Sequence, residues 1–326
     1  MTIFLTDDDV RAVFDWQSAI QALRAAYSGE ISPARYPARS LARGDTSWLR
    51  IMSGASAESG LMGAKLISVN LARQLASYLI PLFDQDTAEL VALLDGHSIT
   101  GFRTAATTAV AADLLAPAGE ITLAVIGSGF EARHHVRALD AVRKVAAVHV
   151  FSPRASSRQL FAENLADLGL MIHAHARGEE AVAEADTVVA AARAPDGSPT
   201  LLGTWLRPGQ TVLSIGSTLP DQREVDPDGI GRADVIVADM LDEIVHDTGD
   251  LIAAAAAGID VPGKITGLAD VAGGRHPGRT SVDQIVLYKS AGSGIQDLTL
   301  ATLCLRRAQE RGIGTGLPVT IGPVQK

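Results

Sequence analysis

The chain has 326 residues, 47% of them hydrophobic and 20% charged, with a net charge of −9. That length exceeds what one core usually holds, so two lobes are expected, and the composition is that of a folded globular protein rather than a disordered one. An acidic balance without a clustered basic face argues against nucleic acid as a partner, and no apolar run approaches the roughly 20 residues of a membrane span.

The opening MTIFLTDDDV is acidic and lacks the basic and long apolar regions of a secretory signal, so a cytoplasmic location is expected. VRAVFDWQSAIQALRAAYSGE carries apolar residues at helical spacing and predicts one or two helices capped at Thr6 and Asp7. SWLRIMSGAS, LMGAKLISV and SYLIPLFDQDTAELVALLD then predict successive antiparallel strands, and GFRTAATTAVAADLLA a helix that Arg103 opens and that ends near Pro117. From residue 121 the rhythm becomes strand, helix, strand: ITLAVIGSG, a helix from Phe130 to about Ala141, AAVHVFSP, a helix around Ser156–Leu168, then HAHAR, TVVAAAR, TVLSIGS and VIVADM. This predicts an α/β fold with a doubly wound parallel sheet. A Gly/Pro-rich loop, one more strand and a long terminal helix follow, and that helix is expected to return to the first lobe. The single cysteine, Cys304, lies in this helix as a buried structural thiol.

In AVIGSGFEARHH, Gly127 suits a tight turn, Gly129 lets backbone approach a pyrophosphate, and Ala132 permits close helix–strand packing. Ser128 completes the loop, and the N–H groups of Phe130 and Glu131 would face phosphates at the positive end of the helix dipole. An acid after the second strand would hold the ribose hydroxyls of NAD. The sequence has Ser152-Pro153-Arg154 there, with Arg158 one turn on, so NADP(H) is preferred and NAD(H) is the alternative. Arg154 and Arg158 covering a solvated helix start is the bland reading.

Taken in order, YPARSL, LMGAKLISV, FDQDTAELVALLDG, GFRTAATTA, AVIGSGFEARHH, IGSTLPDQREVD and YKSAGSGIQDL resemble the ornithine cyclodeaminase and μ-crystallin family over nearly the whole chain. The resemblance implies a discontinuous α+β substrate and dimerisation domain, residues 1–117 and 298–326, into which a Rossmann domain, residues 118–297, is inserted. It further implies a homodimer that pairs the substrate-lobe sheets. It places Arg39, Lys65 and Arg103 around a substrate carboxylate, counts Met52 and Ala291 with the substrate-binding residues, and counts Ser217 and Ser290 with the cofactor-binding ones. The residues agree in part: a lysine inside LMGAKLISV needs an anionic partner. A snorkelling edge-strand lysine and an interdomain ion pair are the competing readings for Lys65 and Arg103.

Cyclodeaminases resemble one another in an aspartate where this chain has Thr218, and a threonine hydroxyl is no general base near neutral pH. Pro220 to Asp226, PDQREVD, resembles instead the ketimine reductases of the family. The expected activity is therefore NAD(P)H-dependent reduction of cyclic imino acids such as Δ1-pyrroline-2-carboxylate or Δ1-piperideine-2-carboxylate, with Lys65, Arg103 and Thr218 at the reacting groups. The alternatives are an ornithine cyclodeaminase, an alanine-type amino-acid dehydrogenase, or a non-catalytic NADPH-binding protein. Glu224 and Asp226 are expected to cap the next helix, Asp221 is a candidate substitute base, and the adjacent His134 and His135 are expected on the helix surface or the cofactor side. No metal site is expected.

Overall fold

The computed structural model describes residues 1–194, 196–318 and 321–325. They form two compact units, Met1–Arg103 with Ser293–Lys326, and Thr104–Gly292. The division falls after Arg103 and Gly292, where the sequence suggested boundaries at 117 and 297.

In the first unit a short strand, β1 (Ile3–Leu5), precedes α1 (Asp7–Val13). Thr6 caps that helix reciprocally: its side chain accepts from the Asp9 N–H, while the Asp9 carboxylate accepts from the Thr6 N–H. Asp15 then caps α2 (Trp16–Ser28), which buries Ala19, Ile20, Leu23 and Tyr27 along one stripe. The strands β2 (Ser40–Arg43), β3 (Ser47–Ala55), β4 (Leu61–Asn70), β5 (Leu75–Asp84) and β6 (Leu90–Asp95) pair antiparallel in sequence order. Asp95 accepts from the His97 N–H and starts α3 (His97–Leu115) earlier than the alanine-rich pattern suggests. Arg103 therefore sits in the second turn instead of opening the helix.

The second unit alternates regularly through β7 (Ile121–Ile126), α4 (Phe130–Asp140), β8 (Val145–Phe151), α5 (Ala155–Asn164), β9 (Ile172–His175), α6 (Gly178–Ala183), β10 (Thr187–Ala190) and β11 (Thr211–Ser214). It continues with α7 (Pro227–Arg232), β12 (Val235–Ala238), α8 (Leu241–Asp247), α9 (Gly249–Ala256), β13 (Ile265–Gly267), α10 (Leu268–Ala272) and β14 (Val286–Lys289). All eight strands run parallel, in the order β13-β12-β14-β11-β10-β7-β8-β9. Every residue of β10, β11 and β14 is buried, as a parallel sheet covered on both faces demands, and this is why they read as apolar runs without alternation. The order reverses between β7 and β10, and ligands of such sheets bind beyond the carboxyl ends of the strands at that switch point.

The chain then returns to the first unit through α11 (Gly294–Arg311) and ends its regular structure with β15 (Thr315–Gly316), which pairs antiparallel with β1. The seven-stranded sheet has the order β15-β1-β6-β5-β4-β3-β2, and only β1 and β6 are parallel. Helix α11 lies close on β3 and β4 because glycines face it. A Cβ at Gly54 would come within 2.8 Å of Leu298, and a Cβ at Gly294 would collide with the Ser53 carbonyl. That approach brings Gln296 and Asp297 down onto the sheet.

Candidate active site

Alternation along β3 and β4 turns Arg50, Met52 and Lys65 to the helix-covered face, with Met52 and Lys65 as direct cross-strand partners. Lys65 shows no surface, and its Nζ lies 2.7 Å from Oδ1 of Asp297, which is equally buried. Nε of Arg103 lies 3.0 Å from the same oxygen, and the Arg103 Nη1 donates to Oε1 of Gln296 at 2.7 Å. Gln296 in turn donates to the Tyr27 hydroxyl at 2.8 Å, 3.4 Å from the Ser293 hydroxyl. One carboxylate thus lies among three cations, because Arg50 is also buried and acts on Lys65. Burial first, then the repulsion of Arg103, pulls Lys65 down from 10.5 to about 7 against the attraction of Asp297.

The anionic partner that an apolar strand requires of Lys65 is supplied by the chain itself, so burial of the lysine does not on its own demand a substrate. Arg103 likewise finds its carboxylate in α11 of the same unit. Arg39 stands half-buried just before β2, next to Ser40, whose register partner Ile51 adjoins Met52. Arg50 and Asp297 were missed in the sequence. An arginine inside SWLRIM and the acid of GIQDL carry the same signal as Lys65, a charge within an apolar pattern.

In the second unit Gly127 follows β7 with φ +116°, a left-handed conformation that disfavours any side chain. A Cβ there would come within 2.5 Å of the Ala191 carbonyl, at the end of β10, so the turn sits in the switch point itself. Gly129 is the N-cap of α4 and has no side-chain cap bond. A Cβ added at Gly129 would meet nothing within 4 Å. Space in front of the first turn of α4 is what a dinucleotide pyrophosphate requires, and Ala132 is fully buried against the sheet as the third small residue. Ser128 lies half-buried between the two glycines.

After β8, Arg158 Nη1 donates to the Ser152 carbonyl at 2.5 Å and bends the loop back on itself. Arg154 is exposed at the N-cap of α5, with Nε donating to the Ser157 hydroxyl at 3.3 Å. The Ser290 hydroxyl donates to Asp239 at 2.7 Å, and Asp239 also accepts from the N–H groups of Ala291 and Gly292. The Ser217 hydroxyl donates to the Gln222 carbonyl at 2.6 Å. Both serines have therefore committed their only proton and can offer a ligand only acceptor lone pairs. The Thr218 N–H is held at 3.2 Å by the Gln222 amide oxygen.

Two readings of the sequence need correction. Asp226 does cap α7, accepting from the Gly229 N–H at 2.8 Å, but Glu224 is no cap. Its Oε2 accepts from the Ser214 hydroxyl and from the N–H groups of Ile215 and Gly216, its Oε1 from Ala192. Lys289 joins this brace through the Ser214 hydroxyl at 2.8 Å and Asp250 at 2.7 Å. Burial raises Glu224 from 4.5 to about 7, opposed by Lys289. His135, expected at the helix surface or cofactor side, is fully buried, with Nδ1 2.7 Å from the Glu131 carbonyl and Nε2 3.1 Å from the Thr108 hydroxyl. Only its neighbour His134 is partly exposed.

With this geometry in place, the relatives of the chain are informative. A Delta(1)-pyrroline-2-carboxylate reductase of Bacillus cereus is 28% identical over 260 residues, 78% of this chain and 79% of that protein. The ketimine reductase mu-crystallin of Mus musculus is 28% identical over 261 residues, again 78% and 79%. The structure of Thermococcus litoralis Delta(1)-pyrroline-2-carboxylate reductase in complex with NADH and L-proline superposes with a TM-score of 0.90 at 26% identity, covering 97% of this chain and all of that one. The model of the ornithine cyclodeaminase/mu-crystallin family matches residues 3–312, and the chain belongs to that family.

Proposed function

We propose that this protein is a nicotinamide-dinucleotide-dependent reductase of cyclic imino acids of the Δ1-pyrroline-2-carboxylate or Δ1-piperideine-2-carboxylate type. The observation that carries the reading is the buried gathering of cations around Lys65. Lys65 and Arg103 meet at one oxygen of Asp297, with Arg50 acting on the same lysine, and a substrate carboxylate would join these cations there. Arg103 is the residue for a bidentate grip, with Lys65 beside it as proton donor to the imine nitrogen. Arg39 and Met52 shape the rim, with Ala291 assigned to the same substrate set. The reductase named for Bacillus cereus and the NADH- and proline-bound structure support this substrate class.

The glycine turn fits a dinucleotide: Gly127, Ser128, Gly129 and the first N–H groups of α4 would hold the pyrophosphate, and Ser217 and Ser290 would accept hydrogen bonds from its nicotinamide half. When bound, the dinucleotide supplies a hydride. NADP(H) is the preferred form, since Ser152, Arg154 and Arg158 offer a hydroxyl and cations where an acid would repel a 2′-phosphate. Thr218 supports reduction over cyclodeamination, because no carboxylate replaces the base at that position. Asp221, exposed on the loop after β11, is assigned no role.

The reading includes a homodimer. On the side of the sheet opposite Lys65, Leu49 and Leu79 keep 37% and 40% of their surface exposed, an apolar face that a second copy would cover. No helix among the described residues is long and apolar enough to cross a membrane.

The test follows dihydronicotinamide absorbance with NADPH and NADH in parallel, against pyrroline- and piperideine-2-carboxylate and open-chain 2-oxo acids with ammonia. Turnover of the cyclic imines, faster with NADPH, is expected. Ammonia release from ornithine, or turnover of open-chain substrates alone, overturns the assignment.

A further inference from the structure

We propose that Asp297 is a positioning residue that acts through Lys65 and Arg103. Its Oδ1 holds the two cations at one point before any ligand arrives, competes with the substrate carboxylate for them, and keeps on Lys65 the proton that the imine nitrogen takes. The inference rests on the functional reading above, but goes beyond it by giving a role to a residue of α11.

The geometry carries the argument. Ammonium and guanidinium meet a single carboxylate oxygen, at 2.7 and 3.0 Å, in a place where Lys65 and Asp297 expose nothing. Two like charges packed together repel, and without the shared anion they would part or one would lose its proton. The charged groups acting on Lys65 come from each neighbouring element: Asp297 from α11, Arg103 from α3 and Arg50 from β3. Two of these three disfavour the ammonium, so Asp297 is what retains it. The other oxygen of Asp297, Oδ2, is buried without a hydrogen-bond partner among the described residues. A carboxylate engaged through one oxygen is a poorer fold-stabilising device than a fully satisfied one, and functional sites are where such groups occur.

In the step itself, a bound reduced dinucleotide would supply the hydride to the imine carbon, and the C=N π pair would move to nitrogen. The Nζ–H bond of Lys65 breaks as the N–H bond forms, leaving a secondary amine, an oxidised dinucleotide and a neutral Lys65 that regains its proton from water. Activity then requires the Lys65 ammonium, and falls as pH rises through the pKa of that group.

The experiment compares wild type with Asp297→Asn, which keeps the volume, and Asp297→Glu, which keeps the charge. It measures kcat and KM for Δ1-piperideine-2-carboxylate across pH 5.5–9, and the Kd of pyrrole-2-carboxylate, a planar unreactive carboxylate. In Asp297→Asn, kcat at pH 7.5 is expected to fall tenfold or more and the basic limb to move at least one pH unit to acid. KM and the probe Kd are expected to fall several-fold, because a competing anion has gone, and Asp297→Glu restores the limb. An unchanged limb, or a rise in KM and Kd together with the fall in kcat, overturns the proposal. If wild type reduces no imine, the functional reading fails separately. The titration of the Lys65 13Cε resonance then decides this inference alone: a midpoint near neutrality that drops in Asp297→Asn supports it, and an unmoved midpoint overturns it.

Discussion

Each unit buries a lysine against an aspartate at 2.7 Å, Lys65 with Asp297 and Lys289 with Asp250, and none of the four side chains reaches solvent. Their surroundings differ in sign and in saturation. Around Lys289 stand two carboxylates, Asp250 and Glu224, whose oxygens accept from the backbone of Ala192, Ile215, Gly216, Glu224 and Val225. Around Lys65 stand two more cations, Arg103 and Arg50, and a carboxylate with one idle oxygen. The first arrangement ties strand ends together, with Asp250 Oδ2 facing only the Lys289 ammonium. The second gathers three cations around one carboxylate, and it is there that the proposed function seats the substrate carboxylate. A buried ion pair by itself distinguishes neither, since desolvation offsets much of its Coulomb gain.

The sharpest way to break this contrast is to remove a cation from each cluster. Lys289→Met leaves two buried carboxylates without their cation and should destabilise the fold by about 3–5 kcal/mol, read as a lowered denaturation midpoint. Glu224 would move further up, since Lys289 is what opposes its rise. Arg103→Ala should do the reverse, sparing the midpoint while kcat/KM for the imine falls on the order of a hundredfold, ~3 kcal/mol. If Arg103→Ala unfolds the protein and Lys289→Met leaves it stable, the two clusters have been assigned the wrong way round.

A buried group of the second unit that carries no charge at neutral pH sharpens the comparison further. Burial lowers His135 from 6.5 to about 4, so between those values the unfolded chain binds a proton that the folded one does not. Stability present above pH 6.5 is therefore lost as pH falls, by about 2 kcal/mol at pH 5. Denaturation at pH 7 and pH 5 should show that loss in wild type and a smaller one in His135→Gln. The smallest effect concerns the cofactor. Ser152→Asp should shift the NADPH-to-NADH preference about tenfold toward NADH, ~1.4 kcal/mol, by placing an anion where a 2′-phosphate would sit. Parallel Kd values for the two dinucleotides check it.

Much of the second unit could be read from the residues alone, because β7 to β12 repeat one unit of strand and helix and Gly127 and Gly129 carry a backbone requirement that few other sequences meet. The strands β1, β2, β13 and β15 were not legible, being two to four residues long, too short for alternation to declare itself. The site was half legible. Lys65 and Arg103 stood out through the family resemblance and through charge in apolar surroundings. Asp297 did not, because nothing local says that glycines 54 and 294 let α11 descend far enough to place it against β4. Glu224 was misread as a cap since Asp226, two residues on, has the capping spacing, whereas four donors converging from two segments are a property of the folded chain only.

The pairing of β1 with β15 has a consequence for biosynthesis. Ile3 meets Gly316 and Phe4 meets Thr315, so the first unit cannot be finished until residue 316 has left the ribosome. Thr104–Gly292 has all its own strands by then and can fold while the earlier segment waits. During that wait the apolar faces of β3 and β4 lack the helix that will cover them. Slow elongation or a truncated product should therefore release a protein with one folded half and one adhesive half, the kind of species that chaperones capture.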